Sequence, residues 1–469
     1  MSTSKFVTSS LTLFLDQLLV AGGNWFYWLI ISRIATTNEI GQATTIYNLI
    51  VLFAIITELG LEYPILKGSS THLYQIFGTS LIIISVTTVI AIPMIFYLIN
   101  NIYEESFRIY VWITIAIFIL FSQCFVPRFA LLGISAVRSI LVIDSIGTCV
   151  RFTVAYVLIV AGYGTLGLLL SLLVQFLFIA AVSLSLAYKT FGFSIGKIKY
   201  AKEVFRDAIV NMPSKLSWML VFSLSTSLLA PFGVETSEIG VFYIILMVSF
   251  VAGGLVSSMA QMNIPTSAVS KIDQSSNSTR IGMILTSPLI VALTVSPKSI
   301  LLNLGTQYLS AETILLILAI GIFPFSIVIN TISKFNYLGQ SIKVLFIGSI
   351  QISAFFVSFL IFAPLYGTLG AAISILIGYI ASSIPSMIWS ERALRLYIVN
   401  FGIALLLSCV LGRVLDLLVG NYINPIVTIL TSVIILFIVS IVLKNTSISE
   451  IREVLKTVVN TRAKNNPID

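Results

Sequence analysis

Tyr163-Gly164-Thr165-Leu166-Gly167 reads YGTLG, and the same five letters return at Tyr366-Gly367-Thr368-Leu369-Gly370, 203 positions later. Such a phrase suits a place where two helices reverse over about four residues, because glycine permits tight turns. Other phrases repeat with it. Glu39-Ile40-Gly41 recurs as Glu238-Ile239-Gly240 at an offset of 199, and Leu132-Gly133 as Leu338-Gly339 at an offset of 206. Three matches in one order at nearly constant spacing indicate an internal duplication.

Composition says what is duplicated. The chain has 469 residues, 58% hydrophobic and only 9% charged, whereas a soluble domain carries about 25% charged residues. It reads as an integral membrane protein. A span needs roughly 20 mainly apolar residues, and the chain holds fourteen such runs, near 11–32, 43–66, 76–99, 109–127, 139–161, 165–188, 212–231, 238–262, 281–302, 311–332, 343–363, 367–389, 396–418 and 424–443. The Glu-Ile-Gly copies fall between runs 1 and 2 and between 7 and 8. The YGTLG copies fall between 5 and 6 and between 11 and 12. Runs 1–6 and 7–12 are therefore two copies of one six-helix unit. Six is even, so both copies enter the membrane from the same side, related by an axis along the membrane normal. Parallel repeats of this kind place a substrate path at their mutual interface.

The expected fold is an all-α integral membrane protein of about 14 transmembrane helices, two parallel-repeat six-helix bundles plus a C-terminal pair. Its expected parts are an N-terminal lobe (1–188), a linker (189–211), a C-terminal lobe (212–389), the helix pair 13–14 (390–444) and a tail (445–469). In the linker Ile195, Ile198, Phe205 and Ile209 share a helical face opposite basic residues, as on a helix lying at a membrane surface. The tail has a similar stripe after a capping box at Ser447 and Glu450. With the N-terminus in the cytoplasm, twenty-one Lys and Arg residues lie in or beside cytoplasmic connections. Only Arg33, Arg108, Lys298 and Arg413 lie outside, and Arg151 is inside a span. That asymmetry fixes the expected orientation, with both termini cytoplasmic in the cell membrane.

The net charge of +8 thus reports topology; no basic domain suggests a nucleic-acid partner. Cys124, Cys149 and Cys409 show no metal or disulfide spacing. The sole histidine, His72, has no zinc-ligand partner, and no Gly-rich phosphate loop precedes a helix. No enzyme, metal or cofactor is expected. Without an ATP site, uphill movement must draw on an ion or substrate gradient.

An ionisable group inside a span costs about 2.5–3.5 kcal/mol on insertion scales and so needs a partner, a wet cavity or a purpose. Asp16 (span 1), Glu58 (span 2), and Asp144 and Arg151 (span 5) are such groups. Asp144 lies roughly 8 Å and Arg151 roughly 18 Å from the cytoplasmic end of their helix, almost two turns apart on one face. Arg33 is at the outer mouth of span 1 and Lys215 at the inner start of span 7. One reading is a set of ion pairs, Arg151 with Asp144 or Glu58 and Asp16 with Lys215. The other is a hydrated lumen in which Arg33, Arg151 and Lys215 bind an anionic headgroup, while Asp16, Glu58 and Asp144 hold the cations or take up protons. Lys67 and Arg128 stand near the inner ends as inner-gate basic residues, with snorkelling the plainer role.

The order of motifs resembles the polysaccharide/O-antigen flippase family of the multidrug/oligosaccharidyl-lipid/polysaccharide (MOP) exporter superfamily. The resemblance rests on SRIATTNEIGQATTIYNLI (Arg33, Glu39, Gly41), TELGLEYPILK (Gly60, Lys67), LLNLGTQYLSAETILLILAI (Gly305, Tyr308, Ala311) and the turns at Gly164, Gly167, Gly367 and Gly370, with Gly240 in the second Glu-Ile-Gly. It covers spans 1–12, and spans 13–14 match a pair that some members carry. It implies a polyprenyl-linked oligosaccharide substrate, membrane lipids and glycan-assembly enzymes as partners, and alternating access. It also implies a cationic lumen for the pyrophosphate, which by position falls to Arg33 and Arg151, with Lys215 as a third. Sodium-coupled relatives place a carboxylate inside the second half, where this chain has none. Coupling to a proton or sodium would therefore fall to Asp16, Glu58 or Asp144. The alternatives are a multidrug/cation antiporter of the same superfamily and, more remotely, a membrane glycosyltransferase or polymerase, for which the external connections are too short.

Overall fold

Backbone polar groups in hydrocarbon must be satisfied within their own segment, and the described chain is helical with no strand among the described residues. The structure, a computed structural model, describes residues 23, 26–67, 73–134, 136–192, 202, 204–206, 208–209, 212, 223–270, 275–419 and 424–443. Its helices are α1 (26–34), α2 (Thr37–Glu58), α3 (Glu62–Lys67), α4 (Leu73–Asn101), α5 (Glu105–Arg108), α6 (Val111–Gly133), α7 (Val137–Val160), α8 (Gly164–Phe191), α9 (223–227), α10 (Thr236–Ser270), α11 (Ser275–Val295), α12 (Pro297–Leu304), α13 (Glu312–Tyr337), α14 (Ser341–Ile388), α15 (Arg392–Val419) and α16 (Pro425–Val442). Among the described residues, eleven helical stretches are long and apolar enough to cross a membrane. The 48-residue α14 contains two crossings, because at Gly367 its backbone leaves the helical region (φ 56, ψ −128). The runs at 11–32 and 212–231 are described only at their ends, as α1 and α9. Asp16, Lys215, His72, the C-terminal tail and most of the linker lie outside the described residues.

Two boundaries differ from expectation. The run 43–66 is broken after Glu58, where Leu59 (φ 52) and Gly60 (φ 76) are left-handed before α3 begins. The run 281–302 is broken at Ser296, and Pro297 opens α12. Proline suits a first helical position and disfavours helical backbone in the residue before it. Pro288, by contrast, is accommodated inside α11.

By packing, the chain divides into two compact units. Unit 1 comprises Met1–Val251 with Phe335–Ser382, and unit 2 comprises Ala252–Lys334 with Ser383–Asp469. In unit 1, α7 and α8 form a tight hairpin that packs on α6, and α2 is the most enclosed span among the described residues. One core cluster of this unit joins Leu61, Ile65, Phe77 and Val126 to Val204 and Ala208 of the linker. The linker meets the protein by a different face from the one its apolar spacing marks. Phe205 and Ile209 are each 45% exposed, and Val204 and Ala208, one position earlier, make the protein contact.

The repeated phrases meet in unit 1. Gly164 (φ 47) and Gly367 (φ 56) hold equivalent left-handed turns, each beside the glutamate of a Glu-Ile-Gly. A Cβ on Gly164 would strike the Glu39 carboxylate, and one on Gly367 would lie 3.7 Å from the Glu238 carboxylate. Three residues on, a Cβ at Gly167 would lie 2.9 Å from Leu158, and one at Gly370 would strike the carbonyl of Phe362. Each glycine lets the preceding helix come back against the next. The two copies also touch each other: a Cβ on Gly41 would fall on the carbonyl oxygen of Thr236, and one on Gly240 on that of Thr37. Connections 1–2, 5–6, 7–8 and 11–12 therefore gather at one end, as repeats entering from the same side require.

In unit 2, α15 and α16 pair and pack on α11. Met283, Ile284, Ile327, Leu394, Ile398 and Phe401 form its core, with Phe437 of α16 against them. The close approach of Phe323 to Gly402 sets α13 against α15.

Candidate functional site

Helix α2 carries a polar run, Thr44, Thr45 and Asn48, that is buried rather than turned outward. Local bonds make this possible: the Thr44 hydroxyl donates to the Ile40 carbonyl at 2.7 Å, and the Asn48 amide donates to Thr44 O at 2.8 Å. Buried polar residues on a span mark the inside of the bundle. In the same unit stands Arg151 of α7, only 7% exposed. Its guanidinium lies over the Tyr27 ring at 3.9 Å, with the rings of Trp28 at 5.7 Å and Tyr47 at 6.0 Å. Trp28 meets Tyr27 edge-on at 5.0 Å and Tyr243 edge-on at 4.9 Å. Helices α1, α2 and α7 of the first repeat and α10 of the second thus build one aromatic enclosure around a cation. A desolvated cation–π contact of this kind stabilises by about 2 kcal/mol.

The expected ion pairs are partly redrawn. Asp144 is bound by Arg128, not by Arg151. Arg128, expected to snorkel, lies on α6 across from α7, and the pairing it makes brings a carboxylate that is only 6% exposed into partnership. Arg151 shares a helix face with Asp144 but lies about 10 Å further along, beyond the reach of a direct bond. Glu58, at the end of α2, is wholly buried. Arg33 is exposed at the end of α1, and Lys67 ends α3. Of the candidate lumen cations, only Arg151 is enclosed among the described residues; Lys215, like Asp16, lies outside them. No cluster of three or more His, Cys, Asp or Glu able to hold a metal occurs among the described residues.

By sequence, no family model matches the chain and no curated relative does. By structure, the chain is similar to the lipid II flippase MurJ in an inward closed conformation, with a TM-score of 0.70 at 12% identity, covering 94% of this chain and 99% of that one. It is also similar to the MATE multidrug transporter DinF-BH (TM-score 0.61, 15% identity, 84% and 97% covered). A third similar structure is the Vibrio cholerae MATE transporter VcmN in the bent form (0.53, 15%, 84% and 98%). The chain has the fold that these three structures share.

Within this fold, sequence reading missed a second charged cluster, in unit 2. Arg413 of α15 bonds Glu312 at the start of α13, reaches Asp416 at 3.5 Å and donates to the Val295 carbonyl at 3.1 Å. Ser296 donates to Asp416 at 2.6 Å, and Lys298 lies 3.7 Å from Glu312. The break at Pro297 thus places Val295 and Ser296 where α13 and α15 carry charge. A signal was present: Arg413 and Asp416 lie one helical turn apart near the end of a helix whose residues 396–412 carry no charge. Counting Arg413 as a loop cation hid it.

Proposed function

We propose that this chain is a flippase that moves a polyprenyl-(pyro)phosphate-linked oligosaccharide from the cytoplasmic to the outer leaflet of the cell membrane. It would do so by alternating access between its two six-helix lobes, for assembly of a surface polysaccharide or glycan. The observation that carries this reading is Arg151: a guanidinium held half-way along a span, 7% exposed, beside the rings of Tyr27, Trp28 and Tyr47. A buried cation there favours an anionic group in transit, and Arg binds phosphate oxygens in a fixed, forked geometry. A cation antiporter needs carboxylates free to bind its substrate, yet Asp144 is engaged by Arg128. Coverage supports the reading too. The MurJ structure spans 94% of the chain and the two MATE structures 84% each, a difference about the size of one helix pair. Arg33 and Lys215 are the further candidate cations on the route. A proton or sodium ion taken up by Asp16 or Glu58 is the candidate coupling partner, and glycan-assembly enzymes supply and consume the lipid.

The test uses purified protein in liposomes carrying a fluorescent polyprenyl-pyrophosphate disaccharide, with a membrane-impermeant quencher reporting the leaflet. Wild type is expected to equilibrate the lipid, Arg151→Ala to fail, and Arg151→Lys to recover part of the rate. Full flipping by Arg151→Ala would refute the role of the buried cation. Uptake of a cationic dye that depends on Asp16 or Asp144, with no lipid movement, would establish the antiporter instead.

A further inference from the structure

The Glu-Ile-Gly repeat extends further back than the matching letters first show. Thr37-x-Glu39-Ile40-Gly41 opens α2, and Thr236-x-Glu238-Ile239-Gly240 opens α10, with all four shared residues at the offset of 199. Each copy is a small residue followed four positions later by glycine, the spacing that lets helix backbones approach closely in membranes. The contacts are reciprocal. A Cβ on Gly41 would overlap Thr236 O and lie 3.0 Å from Gly240 N; one on Gly240 would overlap Thr37 O and lie 2.8 Å from Gly41 N. Residue i of one repeat thus meets residue j of the other, and j meets i, which is the signature of a two-fold contact. No side chain intervenes, so each glycine offers a Cα–H to the facing carbonyl, a weak bond individually. At the same end Tyr103 donates from its hydroxyl to Ser227 O at 2.7 Å, again joining the first repeat to the second. All of these residues belong to unit 1.

We infer that the Gly41–Gly240 crossing is the seal that closes the outward end of the transport path, formed in this conformation and parted in the other. This rests on the alternating-access reading above. The position of the contact argues for a seal over a pivot. Gly41 lies roughly 10 Å from the middle of its helix, so rocking by about 20° around mid-span carries it some 3–4 Å. A gap of about 1 Å already forfeits up to about half the attraction of a close contact, so this one cannot persist through a motion several times larger. A pivot would lie near the middle of the helices, not in their first turns. The composition also suits reversible parting, since the crossing itself holds only weak contacts and no charge lies in it. Glu39 keeps α2 intact meanwhile, because its carboxylate accepts from Thr36 N at 2.8 Å whether or not the crossing is made.

Spin labels at Tyr163→Cys and Tyr366→Cys, equivalent exposed positions at this end (55% and 57%), test the inference after the three native cysteines are replaced. With both glycines intact, the distance distribution in liposomes, with and without lipid-linked disaccharide, should show two populations several ångströms apart. Gly41→Ala or Gly240→Ala should deplete the shorter one and slow flipping at least tenfold. One unchanged distance under every condition, or alanine variants that retain the short population, overturns the seal. The first of these needs no variant at the crossing, so a misfolded alanine protein does not rescue the idea. Two populations without any lipid movement leave the seal standing and remove the flippase reading. Arg151-dependent flipping with one fixed distance does the reverse.

Discussion

Replacing Arg128 by methionine should destabilise the protein more than removing its partner Asp144. The Asp144 side chain is 6% exposed and the Arg128 side chain 35%. Without Arg128 the carboxylate stays where water hardly reaches, which costs about 3 kcal/mol, the low end for breaking a buried pair. Asp144→Asn leaves the guanidinium with a third of its surface already wet and a long stem on which to reach more water, so the loss is about 1 kcal/mol. The double variant, Arg128→Met with Asp144→Asn, removes both charges and should recover about 2 kcal/mol relative to Arg128→Met alone. Unfolding in mild detergent, followed by thiol-reactive or tryptophan fluorescence, would rank the proteins wild type, Asp144→Asn, double variant close behind, then Arg128→Met well below. A loss of about 3 kcal/mol is about a hundredfold shift in the folded-to-unfolded ratio. Equal stability of the two single variants, or no recovery in the double, would refute the assignment of Arg128 as the charge that makes a buried Asp144 tolerable.

Arg413→Ala strands Glu312 and Asp416, both under one-fifth exposed, and should lower thermal stability by about 2 kcal/mol; Arg413→Lys should restore little, because an ammonium cannot reproduce the forked set of bonds. Adding Glu312→Gln to Arg413→Ala should return part of the loss, and unchanged melting in all three variants would dismiss the cluster as a stabilising element. Tyr103→Phe removes the bond to Ser227 and should cost about 1 kcal/mol. Burial also raises the Tyr103 hydroxyl above its ordinary value of 10.0, so its contribution is full below that value and declines as pH rises further. Wild-type stability should therefore fall more steeply above about pH 10 than that of Tyr103→Phe, and parallel profiles would contradict this. Gly370→Ala meets the Phe362 carbonyl, whereas a Cβ on Gly162 meets nothing within 4 Å. The first should sharply reduce folded yield in size-exclusion profiles and the second should cost only its backbone strain, about 1 kcal/mol.

Much of this molecule was legible from one dimension. A chain with 9% charged residues leaves few ways to be folded in water, and an apolar run of about 20 residues in lipid has one way to satisfy its backbone. Class, crossings and the duplication therefore followed from local composition and from glycines whose spacing is itself local chemistry. Helix ends were less secure. The breaks at Leu59–Gly60 and Ser296 depend on what the next segment packs against.

Partners of charges lay beyond the sequence altogether. Asp144 and Arg151 share a helix face, which made them natural candidates to pair, but Asp144 is met by Arg128 from α6 and Arg151 by rings from α1 and α2. The Arg413 cluster joins three helices that are more than a hundred residues apart at its widest, a separation no local pattern encodes. Sequence by itself determined that this chain forms membrane-spanning helices in two like-oriented sets, because solvation and backbone bonding act residue by residue. Only the tertiary structure decided which polar groups face one another, because electrostatic and glycine-to-carbonyl contacts depend on distances through space that chain position does not set.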